Sequence, residues 1–132
     1  MPSLDLGLVE RWIGEVASRH GFAARELTYI FCDDETIIDV NRRFLEHDYY
    51  TDIITFDYTR GKLLRGDMYI SLDTVKTNAK LVSQPYQREL LRVIVHGVLH
   101  LCGINDKGPG EREIMEANED DALTLYSELS DV

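Results

Sequence analysis

The sequence predicts an α+β domain, and three observations lead there. Helical apolar periodicities and short β-branched or aromatic runs follow one another in the order helix, strand, helix, two or more strands, then helices. A chain of 132 residues with 44% hydrophobic content suits one core, not two. The most apolar segment has helical length, and its apolar residues point in nearly every direction, so it reads as a helix buried on most sides. A small mixed sheet of three to four strands packed with about five helices, in a single domain over residues 1–132, satisfies all three.

Leu4 to Ser18 places Val9, Trp12, Ile13 and Val16 on one helical face. Leu27 to Cys32, reading Leu-Thr-Tyr-Ile-Phe-Cys, has the composition of a strand. Asp33-Asp34 offers an N-cap, and Ile37, Val40, Phe44 and Leu45 return to helical spacing as far as His47-Asp48. Thr51 to Tyr58 and Asp67 to Leu72 are strand-like, and the basic, Gly-containing connection between them predicts a hairpin or an added short edge strand. Asp73 to Val82 makes a helix. Pro85, tolerated in a first turn, opens the long run Tyr86 to Cys102, which Gly103 stops. After Gly108-Pro109-Gly110, Glu111 to Leu129 forms the last helix, with acidic residues near its start where the helix dipole favours them.

The amino terminus acquires Glu10 and Arg11 before any long apolar run, so neither a secretory signal nor a membrane span is expected, and the protein is placed in the cytoplasm. Cys32 and Cys102 are too few for a disulfide framework and read as packed, reduced thiols. The net charge of -10 argues at first against a polyanionic partner. Its distribution matters more: residues 1–59 hold 5 basic and 12 acidic side chains, residues 60–92 hold 7 and 3, and residues 93–132 hold 2 and 9. The central cations Arg60, Lys62, Arg65, Lys76, Lys80, Arg88 and Arg92 can line one face if the fold gathers them. Charge alone favours a plain solvated surface.

The chemically informative stretch runs from His96 through Gly97, His100 and Gly103 to Asp106. Histidines four apart on a helix project from one face with Cβ atoms about 6 Å apart, close enough for both to reach one tetrahedral ion at ~2.0–2.1 Å. Gly103 ends the helix and permits a left-handed turn, after which Asp106 can return as an oxygen ligand. Asn105 and Glu111 compete for that place, but an ionised aspartate is the better hard donor. Cys102, about 200° around the helix from His100, faces away. His20 and His47 look peripheral. Three protein ligands leave a position open, and water at an open zinc position has its pKa lowered from 15.7 to roughly 7, which is chemistry for hydrolysis.

The spacing His-x-x-x-His-x-x-Gly-x-x-Asp echoes the zinc signature of metzincin proteases, so the domain reads as zincin-like. In that signature a glutamate follows the first histidine as general base, whereas this chain has Gly97. A peptidase is therefore disfavoured.

The chain resembles the YbeY family of bacterial metal-dependent endoribonucleases. Its histidine motif, His-Gly-x-Leu-His-Leu-x-Gly-Tyr-Asp-His, is matched at His96, Gly97, Leu99, His100, Leu101 and Gly103. Asn41, Asp48, the run Thr51-Asp52-Ile53-Ile54-Thr55-Phe56, Gly66-Asp67-Met68-Tyr69-Ile70 and Arg88-Glu89 look like further family segments. The resemblance implies a single-strand-specific, zinc-dependent endoribonuclease that matures ribosomal RNA at the 3′ end of the small-subunit species and takes part in ribosome quality control. It implies RNA as the partner, with ribosomal proteins as possible further contacts and no membrane.

Two positions depart from the family. Asp106 stands where a third histidine is typical, which adds negative charge and shifts preference somewhat toward harder metals. Leu45 stands where an arginine implicated in activity usually follows the Asn by four residues; Arg42 and Arg43 do not align with it. Phosphodiester cleavage needs cations beside the phosphate, and Arg65, Lys76 and Lys80 are candidates by composition. Asp52 and Asp67, each expected at a strand start, read more simply as solvated or turn-capping acids. Glu89, seven residues before His96, reads either as an orienter of a ligand histidine or as a solvated helix-start acid. Two other function classes stay open: a metal hydrolase of another substrate such as a peptide, and a ribosome-associated protein whose metal is structural.

Overall fold

The computed structural model describes residues 4–45, 52–106 and 108–130. His47, Asp48, Thr51 and Lys107 lie outside them, as does the side chain of Leu45. The first helix, α1 (Leu6–Arg19), starts at Asp5, whose carboxylate accepts a hydrogen bond from the Leu8 amide at 3.1 Å. It buries Val9, Trp12, Ile13 and Val16, the face its periodicity predicts. Strand β1 (Ala23–Cys32) begins four residues before the predicted Leu27. Those residues have weak strand propensity, but they pair in parallel with Leu63–Arg65 across a register shift between Ala24 and Glu26, and pairing overrides propensity. Helix α2 (Asp34–Val40) is capped by Asp33, which accepts from the Thr36 amide at 2.8 Å. It runs into a single π-helical turn over Asn41–Leu45, so the predicted helix changes winding midway.

Strands β2 (Ile53–Asp57) and β3 (Leu63–Ser71) form the predicted hairpin, with Ile53 opposite Ile70 and Asp57 opposite Gly66. The strand order is β1-β3-β2, parallel on one side of β3 and antiparallel on the other, a mixed sheet of three strands among the described residues. As the central strand, β3 is held from both sides and begins at Leu63, so Asp67 falls mid-strand and not at the start as expected. Helix α3 (Leu72–Leu81) follows at once, capped by Ser71, and α4 (Tyr86–Leu101) and α5 (Glu111–Ser130) complete the chain. Among the described residues, no helix is long and apolar enough to cross a membrane.

Alternation along β3 divides the sheet's two faces. Leu64, Met68 and Ile70 enter the main core with Trp12, Leu90, Val93, Val98, Leu99 and Met115, while Tyr69 joins Ile54 and Phe56 against Ile37 and Val40 of α2. Helix α4 is buried nearly all round, as its apolar sequence demands. It reaches the sheet through Gly97: a Cβ there would stand 2.5 Å from Met68 Sδ and 2.8 Å from Ile53 Cδ1. Gly14 on α1 has nothing within 4 Å of the same added atom. The two glycines should therefore respond oppositely to alanine. Gly14→Ala gains helix propensity and should stabilise by about 0.5–1 kcal/mol, whereas Gly97→Ala should destabilise by about 1–3 kcal/mol through overpacking. Urea-unfolding midpoints of the two variants check both signs.

Candidate metal centre

The site is assembled from the carboxyl-terminal half of α4, the loop after it, and α5. Helix α4 ends where Gly103 takes φ 92°, with the Gly103 amide donating to the His100 carbonyl at 3.0 Å and the Ile104 amide to the Leu99 carbonyl at 3.1 Å. This paired arrangement is the Schellman motif, and it turns the chain back on the helix. The turn leaves Asn105 exposed and sets the Asp106 carboxylate 3.3 Å from His96 Nε2.

The other nitrogen of that ring is held from α5. His96 Nδ1 lies 2.6 Å from Glu119 Oε2, and Glu119 is only 3% exposed. A carboxylate accepts, so Nδ1 carries the proton and Nε2 is the atom turned toward Asp106. Helix α5 is pinned at this depth by Trp12, whose Nε1 donates to the Ala122 carbonyl at 2.6 Å and whose ring meets Tyr126 edge-on with centroids 5.1 Å apart.

One turn before His96 stands Arg92. Its Nη1 contacts Glu119 Oε1 at 3.2 Å, its Nε and Nη2 fork onto the two oxygens of Glu89, and Asp52 Oδ2 lies 3.7 Å from Nη2. Glu89 is thus neither a solvated acid nor a partner of His96: at 3% exposure it is buried against Arg92. Asp52 is not a solvated strand-end acid either. Burial pushes its carboxyl above the usual range, with Arg92 and His96 opposing that push.

Burial alone would push the His96 imidazole down. The hydrogen bond that the ring donates to Glu119, with the charges of Glu119, Asp52 and Asp106, outweighs it and raises the ring above its ordinary value. A raised folded-state value makes the imidazolium stabilising: the contribution is complete below the unfolded value of about 6.5 and is lost as pH rises through the raised one. Chelator-treated protein should accordingly lose melting temperature as pH climbs through that interval, and His96→Gln should flatten the profile. A profile of equal slope in both proteins would contradict the assignment.

The remaining expected residues fall elsewhere. His100 is exposed on α4, and among the described residues no three His, Cys, Asp or Glu side chains cluster as a ready metal site. His20 ends α1. Arg65 pairs with Glu26 across β1 and β3 at 3.4 Å, Lys76 and Lys80 are exposed on α3, and Asp67 sits within β3. None of these lines the cavity of about 230 Å³ bounded by His96, Asp106, Glu119, Arg92 and Arg112. Cys32 and Cys102 are partly buried free thiols, each pushed up by burial to about 11, which makes them poor nucleophiles.

Two of the expected donors have the spacing that a divalent ion requires. Two ligands ~2.0–2.1 Å from a tetrahedral metal stand about 3.3–3.4 Å apart. His96 Nε2 and Asp106 Oδ2 are separated by 3.3 Å. The carboxylate on the far nitrogen is the usual support of a metal-bound imidazole. Glu119 was not singled out from sequence, although one signal was present: it follows Met115 by four residues on the buried stripe of α5, an acid where an apolar residue belongs.

Fold and site together define a small α+β protein that presents a histidine, backed by a buried carboxylate, from a central helix. The family model described as Endoribonuclease YbeY matches residues 6–127, and the chain belongs to that family. A Phocaeicola vulgatus protein named Endoribonuclease YbeY is 61% identical over 127 residues, covering 96% of this chain and 92% of that one. A Parabacteroides distasonis protein of the same name is 57% identical over 128 residues, with 97% and 90% covered. A Porphyromonas gingivalis protein of the same name is 49% identical over 128 residues, with 97% and 85% covered. A solution structure of a Thermotoga maritima protein shares the fold, with a TM-score of 0.66 at 21% identity over 96% of this chain and 89% of that one.

Proposed function

We propose that this chain is one catalytic domain, a cytoplasmic zinc-dependent endoribonuclease that cuts single-stranded ribosomal RNA, with the 3′ end of the small-subunit species as its substrate and ribosome quality control as its setting. Membership of the endoribonuclease family supports the reaction class. The observation that carries the metal reading is His96 held between Glu119 at Nδ1 and Asp106 at Nε2. His96 and Asp106 would hold the ion, and His100, exposed one turn along the same helix and outside the cavity lining, would have to turn toward it to act as the third ligand.

When bound, the ion supplies a Lewis acid that lowers the pKa of water and offsets phosphodiester charge. The chain's own residues do the rest. Glu119 keeps the proton of the His96 ring on Nδ1 and fixes the ring plane. Asp106 adds a hard oxygen donor on the same side. Arg112 stands at the cavity wall, where a guanidinium can meet a phosphate oxygen. Gly97 stands where the protease signature has its glutamate base, and a side chain there would have to displace the side-chain ends of Met68 and Ile53. That favours RNA over a peptide substrate.

Zinc-restored protein should cut a labelled single-stranded oligonucleotide from the small-subunit 3′ end and spare its duplex. Cleavage of a casein substrate with RNA left intact would overturn the reading. Replacing Lys76 and Lys80 together by alanine should weaken RNA binding and lower the slope of log affinity against log salt by up to about 1.4, since each single-strand phosphate contact contributes ~0.7. An unchanged slope removes both lysines from the RNA path.

A further inference from the structure

Arg92 touches neither Asp106 nor the Nε2 side of His96, yet it occupies the centre of the buried charge around them. Its guanidinium reaches carboxylates from three elements: Glu89 on its own helix, Glu119 on α5, and Asp52 just before β2. Glu89 and Glu119 are each 3% exposed, and among the described residues Arg92 and His96 supply their compensation. The two oxygens of Glu119 are divided between them, Oε1 to Arg92 at 3.2 Å and Oε2 to His96 at 2.6 Å. With both oxygens engaged, the carboxylate has one plane available to it, and that plane sets the imidazole. The fork onto Glu89 fixes the guanidinium in turn, because five donors in a rigid plane match two carboxylate oxygens in one orientation only.

We propose that Arg92 is a positioning residue for the metal centre: anchored on Glu89 and Asp52, it aims Glu119, which holds His96 with Nε2 toward Asp106. The inference rests on His96 being a metal ligand and adds a residue that contacts neither metal nor RNA. It also makes Lys an inadequate replacement, since an ammonium keeps the charge but not the fork.

The test is zinc affinity, measured by competition with a chromogenic chelator, in wild type, Arg92→Lys and Arg92→Met. Supporting partners of metal-bound histidines are worth about 10–100-fold in affinity, so Arg92→Met should bind zinc about 10–100-fold more weakly, with Arg92→Lys between it and wild type. In the zinc-loaded proteins the hydrogen-bonded Nδ1 proton of His96, resolved by NMR, should shift in Arg92→Met and recover partly in Arg92→Lys. Arg92→Met leaves two buried carboxylates short of a cation, so Glu89→Leu with Arg92→Met is the companion variant; it replaces the pair by apolar volume, which folded proteins commonly tolerate. That double variant should show the same loss of affinity and the same proton shift. Wild-type affinity with an unmoved Nδ1 signal in the folded double variant overturns the role of Arg92 alone. Wild type that binds no zinc overturns the metal reading beneath it.

Discussion

His96→Ala is expected to abolish both metal binding and RNA cleavage while leaving the fold intact. Among the described residues the ring links Glu119, Asp106 and the cavity between them, and on the proposed reading its loss removes a ligand and the point on which the supporting carboxylate acts. Lewis-acid stabilisation of a phosphodiester transition state is worth several kcal/mol, and ~4 kcal/mol corresponds to about 1,000-fold in rate. Cleavage by His96→Ala should therefore fall at least that far, with metal content falling from about one ion per chain toward zero. Arg92 still pairs with Glu119 and Glu89 in this variant, so the buried carboxylates keep a cation, and near pH 8 the metal-free protein should lose only the about 1–3 kcal/mol of the His96–Glu119 hydrogen bond. Full cleavage by a metal-depleted His96→Ala protein would remove this histidine from the chemistry.

Trp12→Ala should have the largest effect on stability. The indole has no exposed surface, packs edge-on against Tyr126, and donates its only hydrogen bond to Ala122 on α5. Truncating a buried tryptophan costs about 3–5 kcal/mol, and the orphaned carbonyl adds to it, which for a chain of this size lowers the melting temperature by roughly 10–20 °C. The same substitution loosens the helix that carries Glu119. Zinc affinity should drop in the folded Trp12→Ala protein although the hydrogen bond and ring contact of the indole are to Ala122 and Tyr126, not to His96, Asp106 or Glu119. Trp12→Phe, which keeps the aromatic contact and loses the hydrogen bond, should cost about 1–3 kcal/mol and retain most of the affinity.

The parts of this architecture that were legible in the sequence are those with local causes. The apolar face of α1, the encircling apolarity of α4, the cap at Asp33 and the stop at Gly103 each follow from residues within a turn or two of one another. The return of Asp106 toward His96 was legible for the same reason, because a left-handed glycine at the end of α4 leaves the following loop few directions.

What escaped is set by pairing across the fold. The onset of β1 at Ala23 depends on Leu63–Arg65 of β3, and nothing in Ala-Ala-Arg-Glu announces it. Glu119 is 23 residues from His96, and the docking of α5 against α4 and, through Trp12, against α1 brings it to the ring. Arg92 sat within the central basic segment and read as one surface cation among seven, whereas the fold turns it inward onto three carboxylates. The second cation at the cavity wall, Arg112, lies outside that basic segment altogether.

The most direct measurement is a metal titration of the chelator-stripped wild-type protein, following cleavage of the single-stranded small-subunit oligonucleotide with elemental analysis of each sample. Cleavage should be absent from the stripped protein and return in proportion to bound zinc, reaching its plateau near one ion per chain. Stripped protein that cuts RNA at the full rate, with no ion detected, would contradict the account.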